Sequence, residues 1–246
     1  MSEGPPAGQV VVVTGSSSGI GAATAHAFAD AGASVLVNSA RSVAEGEAVA
    51  ASLPDALYVQ GDITDPGVPE RLVAAALDRW GRLDTLVNNA GTTALIPHHD
   101  LEAASVEVWR RIFEVNVFGT WAMCVAAMPA LRDARGSIVN VASVAGVRPT
   151  GSSVPYAASK AALNHMTVLL AKVVGPEVRV NAVAPGLVDT PWTEDWDVVR
   201  EVVRQVAPLK RSGQPEEVAE VILALARAAY VTGQVVVIDG GLSLAT

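Results

Sequence analysis

The sequence predicts an α/β fold: a doubly wound parallel sheet of seven strands with helices on both faces. Three observations carry this expectation. Short valine-rich runs alternate with longer alanine-rich amphipathic segments from end to end. Most of the short runs are continuously apolar, as strands covered on both faces must be. The first run also leads through a glycine-rich turn, TGSSSGIG (14–21), straight into a helical pattern.

The first strand is read at QVVVVTG (9–15), and the turn opens a helix over 20–31. ASVLVNS (33–39) is the second strand, with a helix over 43–52 returning from it. ALYVQGD (56–62) is the third, and its helix over 69–80 begins at a proline, which the first turn tolerates. LDTLVNN (83–89) is the fourth, followed by an apolar run over 106–132 read as one long helix. GSIVNVAS (136–143) and EVRVNAVA (177–184) are the fifth and sixth strands, joined by a helix over 155–174. A helix over 215–228 precedes the last strand, GQVVVID (233–239). Such alternation implies right-handed crossovers. No linker or repeat divides the chain, so a single domain is expected over 9–246, after a short disordered lead-in over 1–8. The least regular stretch is 187–213, with Trp192, Trp196, several acids and two prolines. An excursion of that length after a strand's carboxyl end is where a substrate lid sits; an ordinary surface helix is the alternative.

Composition narrows the function classes. The formal net charge is −8, from 17 Lys+Arg against 25 Asp+Glu, with no basic cluster of the kind that binds nucleic acid. A single cysteine, Cys124, rules out an internal disulfide and any CxxC metal site, and the four scattered histidines have no zinc-ligand spacing. Nowhere do ~18 apolar residues run consecutively, so no membrane span is expected. The first residues, MSEGPPAG, lack the basic and apolar regions of a signal peptide. These features fit a cytoplasmic protein with a small-molecule substrate and no bound metal.

The chemistry concentrates in VPYAASKAAL (154–163). Spacing of four puts Tyr156 and Lys160 on one helical face, one turn apart. A phenol ordinarily titrates near 10, and a neighbouring ammonium favours its ionised form, so the pair reads as a tuned acid. Ser143 ends the fifth strand thirteen residues earlier, and a strand end and the next helix start meet at the crevice where such sheets bind ligands. The glycine turn fits a pyrophosphate: Gly15, Gly19 and Gly21 permit tight turning and bring helix N-terminal amides close to phosphate. Its spacing is G-x3-G-x-G, a variant of the usual dinucleotide pattern.

With that spacing, the chain resembles the short-chain dehydrogenase/reductase superfamily over nearly its full length. TGSSSGIG resembles its cofactor loop and NNAG (88–91) its fourth-strand motif; Asn116, Ser143, Tyr156 and Lys160 match its catalytic tetrad, and Pro185-Gly186 its nicotinamide-side loop. The resemblance implies hydride transfer between a nicotinamide dinucleotide and a ketone or secondary alcohol. Ser143 and Tyr156 would stabilise charge on the oxygen, Tyr156 would deliver the proton, Lys160 would hold the ribose, and Asn116 would anchor a relaying water. It assigns the dinucleotide to Gly15, Ser17, Ser18, Gly19, Ile20, Gly21, Ser39, Arg41, Asp62, Ile63, Asn89, Ala90, Gly91, Tyr156, Lys160, Pro185, Gly186, Val188 and Thr190. Asp62 is equally readable as an Asx-turn residue. A homotetramer or homodimer built on the 106–132 and 155–174 helices is also implied.

The second strand departs from an NAD-specific pattern. Ser39 stands where an acid would bond the ribose 2′-hydroxyl, and Arg41 follows as a partner for a 2′-phosphate. NADP(H) is therefore favoured over NAD(H), although relatives preferring NADPH often carry the basic residue at the positions of Ala40 or Ser18. The reading is a carbonyl reductase, possibly of 3-oxoacyl substrates. An NAD-dependent dehydrogenase of a secondary or cyclic alcohol is the alternative within the class, and a non-catalytic dinucleotide sensor the alternative outside it. The connection over 226–234 is shorter than the resemblance leads one to expect.

Overall fold

The computed structural model describes residues 8–245, so the lead-in expected over 1–8 lies outside the described residues except for Gly8. All seven strands form: β1 (Val10–Val13), β2 (Ser34–Ser39), β3 (Ala56–Gln60), β4 (Thr85–Asn88), β5 (Ser137–Val141), β6 (Arg179–Pro185) and β7 (Val235–Ile238). They make one sheet in the order β3-β2-β1-β4-β5-β6-β7, and every pairing is parallel. The central strands β1, β4 and β5 are fully buried, whereas the edge strands β3 and β7 are only partly covered.

Successive β1 valines point to opposite faces, and each face has its own core. Val10 and Val12 pack with α3 (Val68–Trp80), α5 (Thr120–Ala134) and α6 (Val154–Val174). Val11 and Val13 pack with α1 (Gly19–Asp30), α2 (Val43–Ser52) and α8 (Pro215–Arg227). Layers this well separated explain why the strands read as unbroken apolar runs.

One expectation is corrected. The single helix over 106–132 is divided into α4 (Val106–Phe113), a π-helical turn over Glu114–Gly119, and α5. Wider π turns commonly mark functional positions in a helix, and this one contains Asn116. The run Val106–Ala134 is long and apolar enough, by length and composition alone, to cross a membrane. Here its inward residues Met123, Cys124, Ala127 and Leu131 are buried on the sheet. The stretch 187–213 holds two regular elements. A 3-10 turn, Pro191–Thr193, leads into α7 (Asp197–Val206). Arg200 secures it, donating from Nε to Asp189 at 2.9 Å, from Nη1 to Asp197 at 2.7 Å and from Nη2 to the Thr193 carbonyl at 2.9 Å.

Candidate active site

The carboxyl ends of the strands line one cleft of about 790 Å³, opening where strand order reverses between β1 and β4. Every residue singled out from the sequence lines this cleft except Asn116, which is fully buried behind it.

At the dinucleotide end the glycines are required by contact. Gly15 has φ +62°, and a Cβ there would lie 2.8 Å from the Ala90 Cα. A Cβ on Gly21 would strike the Gly15 carbonyl and stand 2.5 Å from the Asn89 amide nitrogen. That amide has a structural duty: both donors are taken, by Thr14 O at 3.0 Å and Gly15 O at 2.8 Å, so Asn89 holds the loop shape. Ser17, Ser18, Gly19 and Ile20 form the turn above it, and Thr190 closes from the opposite side, its Cγ2 3.1 Å from the position of a Gly19 Cβ. A cradle closed to side chains and open to backbone amides fits a pyrophosphate.

Asn38 was not singled out by sequence, and it ties three strand ends together. Its backbone pairs with Ser16, and its amide donates to Val59 O at 3.1 Å and Gly61 O at 3.0 Å. Beside it, Ser39 is buried with its hydroxyl turned inward, donating to Ser42 O at 2.9 Å and 2.8 Å from the Tyr58 hydroxyl. Arg41 is exposed and forms no ion pair among the described residues. Arg71, also missed from sequence, shares a shallow recess with Arg41, Tyr58 and Asp62 and donates to Gln60 O at 3.0 Å. Asp62 does form an Asx turn, accepting from the Thr64 amide at 3.0 Å and hydroxyl at 2.8 Å. It lines the cleft as well, next to Ile63.

At the other end, Ser143 follows β5 and enters a short 3-10 turn, Val144–Gly146. That turn lies directly on α6: a Cβ on Gly146 would be 2.6 Å from the Lys160 backbone carbon, so glycine sets how closely Ser143 approaches the helix. Ser153 caps α6, its hydroxyl accepting from the Tyr156 amide at 3.4 Å. One turn on, Lys160 is 4% exposed; its Nζ donates to the Val141 carbonyl at 2.8 Å and sits 5.8 Å from the Tyr156 ring centroid.

Asn116 reaches across rather than bonding locally. It donates to Thr92 O and to the Ser159 hydroxyl, both at 3.0 Å, and accepts from the Thr92 amide at 2.8 Å. Both amide donors are thus consumed, and the carbonyl oxygen is engaged by the Thr92 amide. Thr93 continues the wall, its hydroxyl 2.5 Å from that of Ser152.

The electrostatics correct the simplest reading of the Tyr–Lys pair. In the protein alone burial pushes the Tyr156 phenol above its ordinary value, and the facing Ser143 hydroxyl only partly offsets this. Burial also brings the Lys160 ammonium down to about 8. Tyr156 is therefore a held proton at neutral pH, with a cation beside it that burial has weakened. Cys124 is inert: burial raises its thiol to about 12 despite the bond from Asn88.

Comparison with known proteins agrees with this geometry. A family model described as Enoyl-(Acyl carrier protein) reductase matches residues 15–243. A protein of Streptomyces violaceoruber named "Granaticin polyketide synthase putative ketoacyl reductase 2" is 56% identical, covering 99% of this chain and 100% of its own. The 3-oxoacyl-[acyl-carrier-protein] reductase FabG of Thermotoga maritima is 41% identical, covering 96% of this chain and 98% of its own. A solved short-chain dehydrogenase/reductase of Brucella melitensis, of the glucose/ribitol dehydrogenase type, superposes with a TM-score of 0.89 at 34% identity, over 96% of this chain and 97% of that one. With one parallel sheet, and a glycine cradle sharing one cleft with Ser143, Tyr156 and Lys160, the chain belongs to the short-chain dehydrogenase/reductase family of nicotinamide-dependent oxidoreductases.

Proposed function

We propose that this oxidoreductase is an NADP(H)-dependent ketone reductase in which Ser143 and Tyr156 act on the carbonyl oxygen, Tyr156 as proton donor. The observation that carries this reading is the joint placement of the two hydroxyls with a buried ammonium at the cleft end opposite Arg41. When bound in the cradle, the dinucleotide supplies the hydride. As the carbonyl carbon gains it, the C=O π bond opens and negative charge develops on oxygen. Two hydroxyls stabilise that charge, and the Tyr156 proton completes the alcohol. Lys160, still largely protonated near pH 7, offsets the charge then left on the phenol. Asn116, tied to Thr92 and Ser159, keeps the wall and α6 in register. The segment 187–213 covers the substrate half, and Arg200 holds it in place.

Two relatives are named for ketoacyl reduction, which favours C=O over C=C substrates despite the enoyl wording of the family description. The test is absorbance at the nicotinamide band with both cofactors, a simple ketone, a 3-oxoacyl thioester and an enoyl thioester. Turnover of the ketones with NADPH is expected; exclusive turnover of the enoyl thioester would refute the reading.

The same proposal assigns the outer faces of the π turn with α5, and of α6, to a second copy of the chain. Phe118, Trp121 and Val125 are 56%, 47% and 53% exposed, and Val168, Leu169 and Val173 are 44%, 52% and 69% exposed. Apolar patches of this kind mark contacts between proteins. Light scattering should return a dimer or tetramer mass, and a monomer would refute the assignment.

A further inference from the structure

We propose that Trp192 is a specificity-determining residue whose indole selects flat, conjugated, uncharged ketones. This inference rests on the ketone-reductase reading above and adds the class of substrate.

The position of Trp192 is unusual for a large apolar side chain. It is 47% exposed, yet it turns into the cleft rather than onto the sheet. Its ring centroid lies 6.5 Å from that of Tyr156 with the planes at 78°, an edge-on contact between aromatic rings. Its Cη2 is 3.7 Å from the position of a Cβ on Gly91, a point also 3.6 Å from the Lys160 Nζ. The indole therefore stands over the residues that act on the carbonyl, and a substrate presenting its oxygen to Tyr156 must lie against it. The 3-10 turn Pro191–Thr193 fixes this placement, since Thr193 donates to Val188 O at 2.7 Å and its carbonyl accepts from Arg200.

The surroundings agree with a flat neutral ligand. Trp196, Val199, Val203, Leu95 and Leu242 complete an apolar lining on this side. The charged lining residues of the whole cleft are Arg41, Asp62, Arg111 and Lys160. Arg41 and Asp62 lie at the dinucleotide end, Lys160 is buried with its Nζ donating to Val141 O, and Arg111 is exposed on α4. An indole face offers a plane and a π surface, and a planar arene fills it better than a puckered saturated ring. Conjugation also makes the carbonyl coplanar with the ring, so stacking on Trp192 would orient the oxygen toward Ser143 and Tyr156.

The experiment compares acetophenone with cyclohexyl methyl ketone, which share a carbon skeleton and differ in planarity, at saturating NADPH. Wild type, Trp192→Ala and Trp192→Phe are measured for kcat/KM with each ketone, for NADPH affinity by fluorescence and for Tm. Taking each variant's ratio to wild type cancels the intrinsic reactivity of the ketones. Trp192→Ala should lower kcat/KM for acetophenone about tenfold, the scale of one lost aromatic pairing plus its buried area. The saturated ketone should fall no more than about threefold on the lost area alone. Trp192→Phe should restore most of the selectivity, and NADPH affinity should stay within about twofold. A parallel fall for both ketones, or a matching loss of NADPH affinity, would show that Trp192 supports Tyr156 or the cofactor and would overturn the inference while leaving ketone reduction intact. A wild type that reduces neither ketone, with NADPH bound, would overturn this inference, and only failure with the 3-oxoacyl thioester as well would overturn ketone reduction.

Discussion

Replacing Arg41 with alanine tests the cofactor assignment most directly. A 2′-phosphate brings up to two negative charges to the end of β2. No acid stands there, since Ser39 is buried with its hydroxyl committed to Ser42 and Tyr58. Arg41 lines the cleft at this point and has no internal carboxylate partner among the described residues to compete for it. A charge-assisted bond of this type contributes about 1.5–3 kcal/mol when sheltered. Arg41 is exposed, so water and salt reduce that to about 1–2 kcal/mol, roughly five- to thirtyfold in binding. The wild type should therefore favour NADPH over NADH by that margin in kcat/KM. Arg41→Ala should remove most of it by weakening NADPH while NADH stays unchanged, and added salt should do the same more weakly. Ser39→Asp should shift the preference toward NADH, since a carboxylate at the end of β2 repels the phosphate even where Tyr58 holds it inward. The assay is initial rate against each cofactor at fixed ketone in all three proteins. A wild type preferring NADH, or an Arg41→Ala ratio equal to wild type, would refute the argument and leave Arg41 a solvated residue before α2.

Three further outcomes are expected. Tyr156→Phe should reduce turnover at least a thousandfold, on the order of a lost general acid plus one oxyanion donor, with NADPH affinity within a few-fold by fluorescence titration. Lys160 titrates near 8 in the folded protein against its ordinary 10.5, so the folded state binds fewer protons than the unfolded one between those values. Stability of the cofactor-free protein should then rise with pH from about 8 to 10.5 relative to Lys160→Met, by roughly 3 kcal/mol in denaturant melts. The opposing losses from the buried Cys124 thiol and Tyr156 phenol are common to both proteins and cancel in the comparison. Gly21→Ala should destabilise the fold by about 1–3 kcal/mol and abolish dinucleotide binding, because its Cβ has no room between Gly15, Ser16 and Asn89; unchanged Tm and NADPH affinity would contradict the cradle geometry.

What the sequence determined by itself is whatever follows from periodicity and short spacing. Seven valine-rich runs separated by amphipathic segments leave a parallel, two-faced sheet as the way to bury both sides of every strand. The glycine turn after β1 and the four-residue spacing of Tyr156 and Lys160 are local facts, legible without coordinates. Only the tertiary structure decided how groups distant in sequence share one environment. Asn116 meets Thr92 and Ser159 because a π turn redirects a helix that looks continuous in its apolar pattern. Ser39 looks available to a ribose, yet Tyr58, nineteen residues on, draws its hydroxyl inward. Tyr156 appears tuned downward by its lysine until burial, which no spacing reveals, raises the phenol and weakens the ammonium. Trp192 could have packed against the sheet; its place over Tyr156 depends on Arg200 and Thr193 bonding back to Asp189 and Val188. Desolvation and hydrogen-bond partnership are properties of surroundings assembled from the whole chain, and so they belong to the fold and not to any motif.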